Sequence, residues 1–538
     1  MSPRLLALSS VWLSLSAPSY TYVYADNANA GVPTPTKVDV LIIGAGWAGM
    51  AAADHLARNG PGVRFAVLES TNRTGGRSEA VTMGGYVVET GSNWIVGGSS
   101  REGEQTCPSG SFTCTNSLGE NRPNVPTNPV IDIAKRAGVA VTNEARPNGL
   151  FSPVPSVLDV NGQDVDPDGV VRDRFVSALE CIKGNSENKT FREVMAGCGW
   201  NPKTDIEFAI DVSATECSGA ENDSEMVGGL DDVSMLLWGK DWMLVKDQHP
   251  RGYARIMDEM TKDTIPADDP RLILNAHVVS VDYSSCGPRK DDEGCAVVTT
   301  ENGRVFHAKE VISTIPLGVL QRHHDKLFTP PLPDVLVEAL SSNEALMRNV
   351  TKIFLQFPSA WWDNKHTRWV NVIDGANSTA KADDFTRWRN MNHDEALPGS
   401  NILLAFLGDP HSSYYEALPD FDVQEAAMKQ LRRQHPNIDI PDPINFYMSR
   451  HGYDRTRYGA FSVERAPWSG KYSEFQEGVE DSDGETRVRF AGETFCPSFS
   501  GYTHGALLSG ISQAAYYLFD NNAGPDPAED DRLMLCWF

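Results

Sequence analysis

The chain has 538 residues, 41% of them hydrophobic, and a formal net charge of −25. That length can bury the cores of two domains, and the acidic balance argues against a nucleic-acid partner, whose phosphates call for a basic stripe. Nine cysteines are too thinly spread for a disulfide scaffold.

From the N-terminus, Arg4, an apolar stretch from Leu5 to Ala17 and the small-residue pattern Val23-Tyr24-Ala25 before Asp26 have the layout of a secretory signal peptide over residues 1–25. The mature protein is therefore expected to be secreted. No other segment approaches the roughly 20 apolar residues of a membrane span. Sequons at Asn72, Asn188, Asn222, Asn349 and Asn377 permit glycosylation.

Residues 38–43 form an apolar run of strand length, followed by Gly44-x-Gly46-x-x-Gly49 and a helical pattern. This is the signature of the first βα turn of a dinucleotide-binding fold. Gly44 permits the tight turn, Gly46 lets backbone approach a pyrophosphate, and Gly49 lets helix pack on strand, with the positive helix end aimed at the anion. A second strand pattern at 64–68 leads to Glu69, placed to accept hydrogen bonds from a ribose diol. The loop Gly75-Gly76-Arg77 offers amides and a guanidinium to the same pyrophosphate.

Tyr86 to Glu89 alternates like a strand, and Thr90-Gly91-Ser92-Asn93-Trp94 follows as a small-residue turn. Residues 101–130 are loop-like, and the mixed patterns up to about 240 suggest a separate substrate domain. Strand patterns return at 271–282, 295–300 and 305–312, and a disulfide between Cys286 and Cys295 would close one hairpin. Cys107 with Cys114 is the second expected pair. Two apolar strands, 350–357 and 401–407, suggest a second sheet, and the first carries Lys352. A buried lysine needs a partner. At the C-terminal end a strand at 488–494 reaches Gly492-Glu493, and Gly501-Tyr502-Thr503-His504-Gly505 opens a helix of small residues.

Taken together, these motifs resemble the flavin-containing amine oxidases, most closely the secreted polyamine oxidases of plants and fungi. The resemblance rests on Gly44, Gly46, Gly49 and Glu69, the Gly75-Gly76-Arg77 loop, Gly91 to Trp94, Thr351-Lys352-Ile353-Phe354, Phe490 to Glu493, and Gly501 to Gly505. It implies an α/β, two-domain FAD-binding (Rossmann-like) amine oxidase fold whose substrate domain is a mixed sheet plus helices. The FAD-binding domain would comprise 37–105, 245–325 and 450–525, and the substrate-binding domain 106–244 and 326–449. FAD would be noncovalent, because Cys496 lies outside the Ser-Gly-Gly-Cys type of stretch that carries covalent flavin in some branches. Glu69 would hold the adenosine ribose, Arg77 and the early glycines the pyrophosphate, Val278 would lie near the adenine, and Gly492-Glu493 would approach the ribityl chain. Lys352 would hold a water at the flavin, Phe461 and Tyr502 would guide the amine to the flavin face, and Trp94 would close the cavity. His504 would stand behind them.

Three departures bear on substrate choice. Val96 stands where plant polyamine oxidases carry a tunnel glutamate, His451 replaces a tryptophan, and Val350 replaces a tyrosine. A second tunnel glutamate is matched by Glu216. The reaction implied is oxidation of a small-molecule amine, with spermine or spermidine foremost, to an imine that water hydrolyses, with O2 reduced to H2O2. The alternatives are an oxidase of another amine, such as an intermediate with one cationic end, and a catalytically silent flavin-binding protein. An amino-acid oxidase would need an arginine for the substrate carboxylate, for which Arg387 and Arg389 are the candidates.

Overall fold

The apolar run at the N-terminal motif becomes the strand Lys37–Ile43, buried from Val38 onward, and the glycines lead into the helix Trp47–Asn59. The computed structural model describes residues 37–96, 113–115, 121–123, 128–143, 156–182, 191–214, 242–284, 295–342, 344–372, 385, 387–409, 411–464, 471–530, 533 and 536. The expected signal peptide lies outside the described residues, as do Glu216, Cys107, Cys286 and the sequons at Asn188, Asn222 and Asn377.

Lys37–Ile43 lies inside a nine-stranded sheet. Its order is Leu272–Ile273, Phe65–Leu68, Lys37–Ile43, Val305–Ser313, Ala296–Thr300, Val278–Asp282 and Phe328–Thr329. Thr486–Phe490 also pairs with Val305–Ser313 and carries Val479–Glu480 beside it. Leu41 pairs in parallel with Val311, which pairs in parallel with Val488, so segments far apart in sequence meet in one sheet. Successive side chains point to opposite faces of a strand. Val40 and Ile42 accordingly join the core beneath the helices Trp47–Asn59 and Thr503–Asp520, and Leu41 and Ile43 join the core on the other side. With both faces covered, polar alternation would leave buried polar groups, which explains the continuous apolar run. The two helices meet through small residues: a Cβ added to Gly510 would stand 2.1 Å from the Ala48 carbonyl oxygen.

A six-stranded sheet runs Asn445–Met448, Val350–Gln356, Ile402–Gly408, Arg387–Asn390, Arg368–Asn371 and Ser156–Leu158. Ile353, Leu355, Leu403, Ala405 and Leu407 pack with Val423, Ala427 and Leu431 of the helix Asp420–Gln434. On the opposite face Val350, Phe354, Leu404 and Phe406 pack with Trp94 and Phe461. Alternation puts Lys352 on this second face, where its register partner is Phe406. Trp94–Val96 belongs to a three-stranded sheet with Trp242–Val245 and Val141–Asn143.

Disulfides join Cys181 to Cys198 and Cys496 to Cys536, two pairings that the spacing of nine cysteines does not reveal. Cys295 is also disulfide-bonded. Among the described residues, no helix is long and apolar enough to cross a membrane, and no group of three or more His, Cys, Asp or Glu is placed to hold a metal ion.

Candidate active site

A cavity of about 450 Å³ opens along the C-terminal edge of the nine-stranded sheet, where the strand Lys37–Ile43 gives way to its glycines. Gly44 has φ of +102°, and a Cβ there would stand 2.4 Å from Thr314 Oγ1. At Gly49 a Cβ would stand 1.9 Å from the Gly44 carbonyl oxygen, so helix and turn can approach only without a side chain. Gly46 and Gly76 face each other across the lip, with a Cβ on Gly76 reaching 3.2 Å from Gly46 Cα. Every cofactor residue expected from the sequence except Gly49 lines this cavity: Gly44, Gly46, Glu69, Arg77, Val278, Gly492 and Glu493. Gly49 acts behind the wall.

The cavity fits a dinucleotide by its charges as well as its glycines. Although the chain is strongly acidic, Arg73, Arg77, Lys326, Arg455 and Arg457 line the space beside, among the described residues, two carboxylates, Glu69 and Glu493. That balance suits a pyrophosphate held at a glycine turn and a helix start. Glu69 Oε2 accepts from the Ala45 N–H at 2.8 Å, and Oε1 accepts from the Thr71 N–H at 2.8 Å and its hydroxyl at 2.7 Å. These bonds aim the carboxylate, and Oε2 keeps a lone pair for a ribose hydroxyl. The residues present therefore fit FAD. Cys496, tied to Cys536, offers no thiol for covalent attachment.

Arg77 and Glu493, expected at separate parts of the cofactor, are also joined to each other. Arg77 Nη1 donates to Glu493 Oε1 at 2.7 Å, joining the first loop to the last strand. Glu493 also accepts from the Gly501 N–H at 2.8 Å and from the Ser462 hydroxyl. Burial works against its charge, but Arg77 and these donors hold its pKa below the usual carboxylate value. The sequence reading did not single out Arg73, Arg457 or Thr314. Their placement depends on distant packing.

Phe461 and Tyr502 both line the cavity, but Trp94 and Lys352 do not. Trp94 sits behind Phe461 in one apolar cluster. Lys352 is buried, its Nζ donating to the carbonyls of Glu89, at 3.0 Å, and Gly91. The ammonium stands 5.6 Å from the ring centroids of both Trp94 and Phe406. The Arg389 guanidinium lies 4.3 Å from the same Phe406 ring. Lys352 lies one layer behind the cavity wall, held by the peptide that runs into cavity-lining Ser92.

Several buried titratable groups surround this layer. Burial pushes the Glu89 carboxyl up to about 8 despite a bond from the Tyr253 N–H and the Lys352 charge. Sequence reading assigned it no role, although an acidic residue ending an apolar strand was a signal. His451 lies at the junction of strand and cavity, its pKa lowered to about 4 by burial and by Arg457. His504, 3.2 Å from Asn128 Nδ2 and against the Phe499 and Tyr502 rings, is pushed down to about 3 by burial. Val350 is buried in its strand, and Val96 contributes its backbone to the three-stranded sheet. Asn349 is buried against Glu416, whereas Asn72 is exposed.

Comparison with known proteins gives concordant matches. Residues 189–518, more than half of the chain, match the family described as flavin containing amine oxidoreductase, and residues 42–105 match an NAD(P)-binding Rossmann-like domain. A peroxisomal N(1)-acetyl-spermine/spermidine oxidase of Bos taurus is 28% identical over 521 residues, covering 93% of this chain and 95% of that protein. Polyamine oxidase 1 of Zea mays is 26% identical over 502 residues, covering 88% and 89%. Wild-type putrescine oxidase bound to putrescine superposes with a TM-score of 0.59 at 17% identity, over 90% of this chain and 99% of that one. At that identity the superposition is evidence of shared fold.

Proposed function

The chain belongs to the family of flavin-containing amine oxidoreductases, and on that premise we propose that its substrate is a polyamine such as spermine or spermidine. It is an FAD-dependent amine oxidase, with FAD held noncovalently in a two-domain α/β fold. The observation that carries the substrate side is the placement of Phe461 and Tyr502 together at the cavity wall. The polyamine oxidases among its relatives support the same reading.

Glu69 would hold the ribose and the backbone at Gly46 and Gly76 the pyrophosphate, while the Arg77–Glu493 pair ties the first loop to the last strand beside them. Bound FAD supplies the two-electron acceptor for the C–H bond beside the amine nitrogen, and O2 carries the electrons onward to H2O2. Phe461 and Tyr502 orient the amine by their ring faces and keep water out of that contact. Lys352, fixed behind the wall on the Glu89 and Gly91 carbonyls, would hold a water at the reacting end. The imine product is hydrolysed to an aldehyde and an amine.

A second reading, an amine with a single cationic end, draws on two observations. Val96 supplies no anionic anchor for a distal ammonium, and the Arg389 guanidinium shares the Phe406 ring with Lys352. A peroxide-coupled panel of mono-, di- and polyamines on purified protein separates the readings. Spermine and spermidine ahead of monoamines supports the first, and the reverse order sinks it.

The catalytic unit divides on this reading into an FAD-binding domain at 37–105, 245–325 and 450–525 and a substrate domain at 106–244 and 326–449. Export after cleavage at Ala25 is supported by the bridges Cys181–Cys198 and Cys496–Cys536, which persist in oxidising compartments. A mature N-terminus at Asp26 in culture medium, with mobility that shifts on deglycosylation, is the expected result. An intact N-terminus on an intracellular product refutes it.

A further inference from the structure

Lys352 Nζ donates to the carbonyls of Glu89 and Gly91. The carbonyl between them, that of Thr90, accepts from His451 Nε2 at 2.9 Å. On the other side of the imidazole, Arg457 Nη1 donates to Nδ1 at 3.0 Å. A guanidinium has protons to give and no lone pair to offer, so Nδ1 must be the acceptor and Nε2 must carry the hydrogen. One tautomer of the neutral ring satisfies both contacts. Three successive carbonyls are thus gripped alternately, the outer two by the lysine and the middle one by the histidine.

We propose that His451 is a positioning residue for Lys352, fixing through the Thr90 carbonyl the peptide segment whose neighbouring carbonyls hold the lysine ammonium. The segment is tightly bounded elsewhere. A Cβ on Gly91 would stand 1.8 Å from the Arg77 carbonyl oxygen, and Arg77 is itself tied to Glu493. Arg457 is anchored by Asp454 at 2.6 Å and Glu79 at 3.2 Å, and it lines the cavity. A displacement of the Arg457 loop therefore reaches Lys352 through three hydrogen bonds and the peptide between them. Burial and the facing charges of Arg457 and Lys352 keep the imidazole neutral, with Glu79 opposing them, so the clamp persists at any pH well above about 4.

This inference rests on the reading that Lys352 serves the reaction, and the test separates the two. FAD-loaded wild type, His451→Phe, His451→Gln, Lys352→Met and the double variant His451→Phe/Lys352→Met are compared in kcat and KM on the best amine. His451→Phe is expected to lower kcat about tenfold with little change in KM, as residues coupled through one network do. His451→Gln, whose amide can donate to Thr90 and accept from Arg457, should restore most of the loss. In the Lys352→Met background, His451→Phe should cost almost nothing further. Losses that multiply in the double variant, or that Gln fails to rescue, overturn the proposal. A crystal structure of His451→Phe gives a readout independent of turnover: Nζ withdrawn from the Glu89 and Gly91 carbonyls supports the proposal, and an unmoved Nζ refutes it. Should His451→Phe not fold, His451→Asn, too short to span both partners, replaces it. If Lys352→Met turns over normally, the role of the lysine in the reaction falls, and the crystal structure alone decides the positioning.

Discussion

Lys37–Ile43 and Val350–Gln356 are both seven-residue strands with almost every side chain buried, yet they serve the molecule in different ways. The first delivers backbone to its site: its chemistry begins where side chains stop, at Gly44 and Gly46, and the helix behind supplies amides. The second delivers a side chain, Lys352, from its middle and surrounds it with Trp94, Phe406 and the carbonyls of Glu89 and Gly91. A backbone site is written in local spacing, because one turn must contain every glycine. A site of side chains draws on residues 89, 352 and 451 at once. The contrast teaches that the cofactor end tolerates little local change, whereas the substrate end can be retuned at single positions.

The largest expected effect tests the side-chain end. Lys352→Met should lower turnover on the order of a hundredfold, with FAD content unchanged, as measured by stopped-flow and flavin absorbance. Loss of FAD instead would make the lysine part of the cofactor end.

Val96→Glu should sharpen the comparison next. An added anionic contact of roughly 1.5–3 kcal/mol corresponds to about ten- to hundredfold in kcat/KM. The gain should appear for spermine or spermidine and be small for a monoamine of similar length. Equal gains on both would place selectivity elsewhere.

Glu69→Ala addresses the backbone end. Losing a charged acceptor of the ribose should weaken FAD binding by about 1–3 kcal/mol, read from titration of the apoprotein, with kcat of the fully loaded enzyme preserved. Unchanged affinity would remove Glu69 from the ribose. The noncovalent linkage is checked alongside it: acid precipitation should release the yellow colour into the supernatant.

The smallest effect concerns the buried Glu89 carboxyl, which burial raises from the usual 4.5 to about 8. A folded state that holds this proton more tightly than the unfolded chain has the full benefit below about 4.5 and loses it as pH rises through about 8. Glu89→Gln keeps an acceptor for the Tyr253 N–H and removes the titration. Its melting temperature should therefore gain on wild type between pH 5 and pH 8. A constant difference across that range would mean that Glu89 is ionised throughout.

The nine-stranded sheet was legible at both ends of the chain, since apolar runs at 38–43, 305–312 and 488–490 each bordered glycine or proline signals. The six-stranded sheet was legible at the apolar strands 350–357 and 401–407, the first of them carrying Lys352. The pairings Cys181–Cys198 and Cys496–Cys536 were not, because many connectivities satisfy the same cysteines. Glu89 and Arg457 were passed over for a related reason: each looks ordinary in its own stretch and matters only beside residues hundreds of positions away.

The sequence by itself determined the dinucleotide turn and the acidic residue at 69, because helix, strand and turn chemistry act over a few neighbours, and the aromatic pair Phe461 and Tyr502 came from the family resemblance. Only the tertiary structure decided that Arg77 meets Glu493, that Lys352 stands behind the cavity wall on two carbonyls, and that His451 holds the carbonyl between them. Those outcomes depend on burial. A charged or polar group withdrawn from water must find its partner among whatever the packed sheets bring within about 3 Å, and that choice is made by the fold.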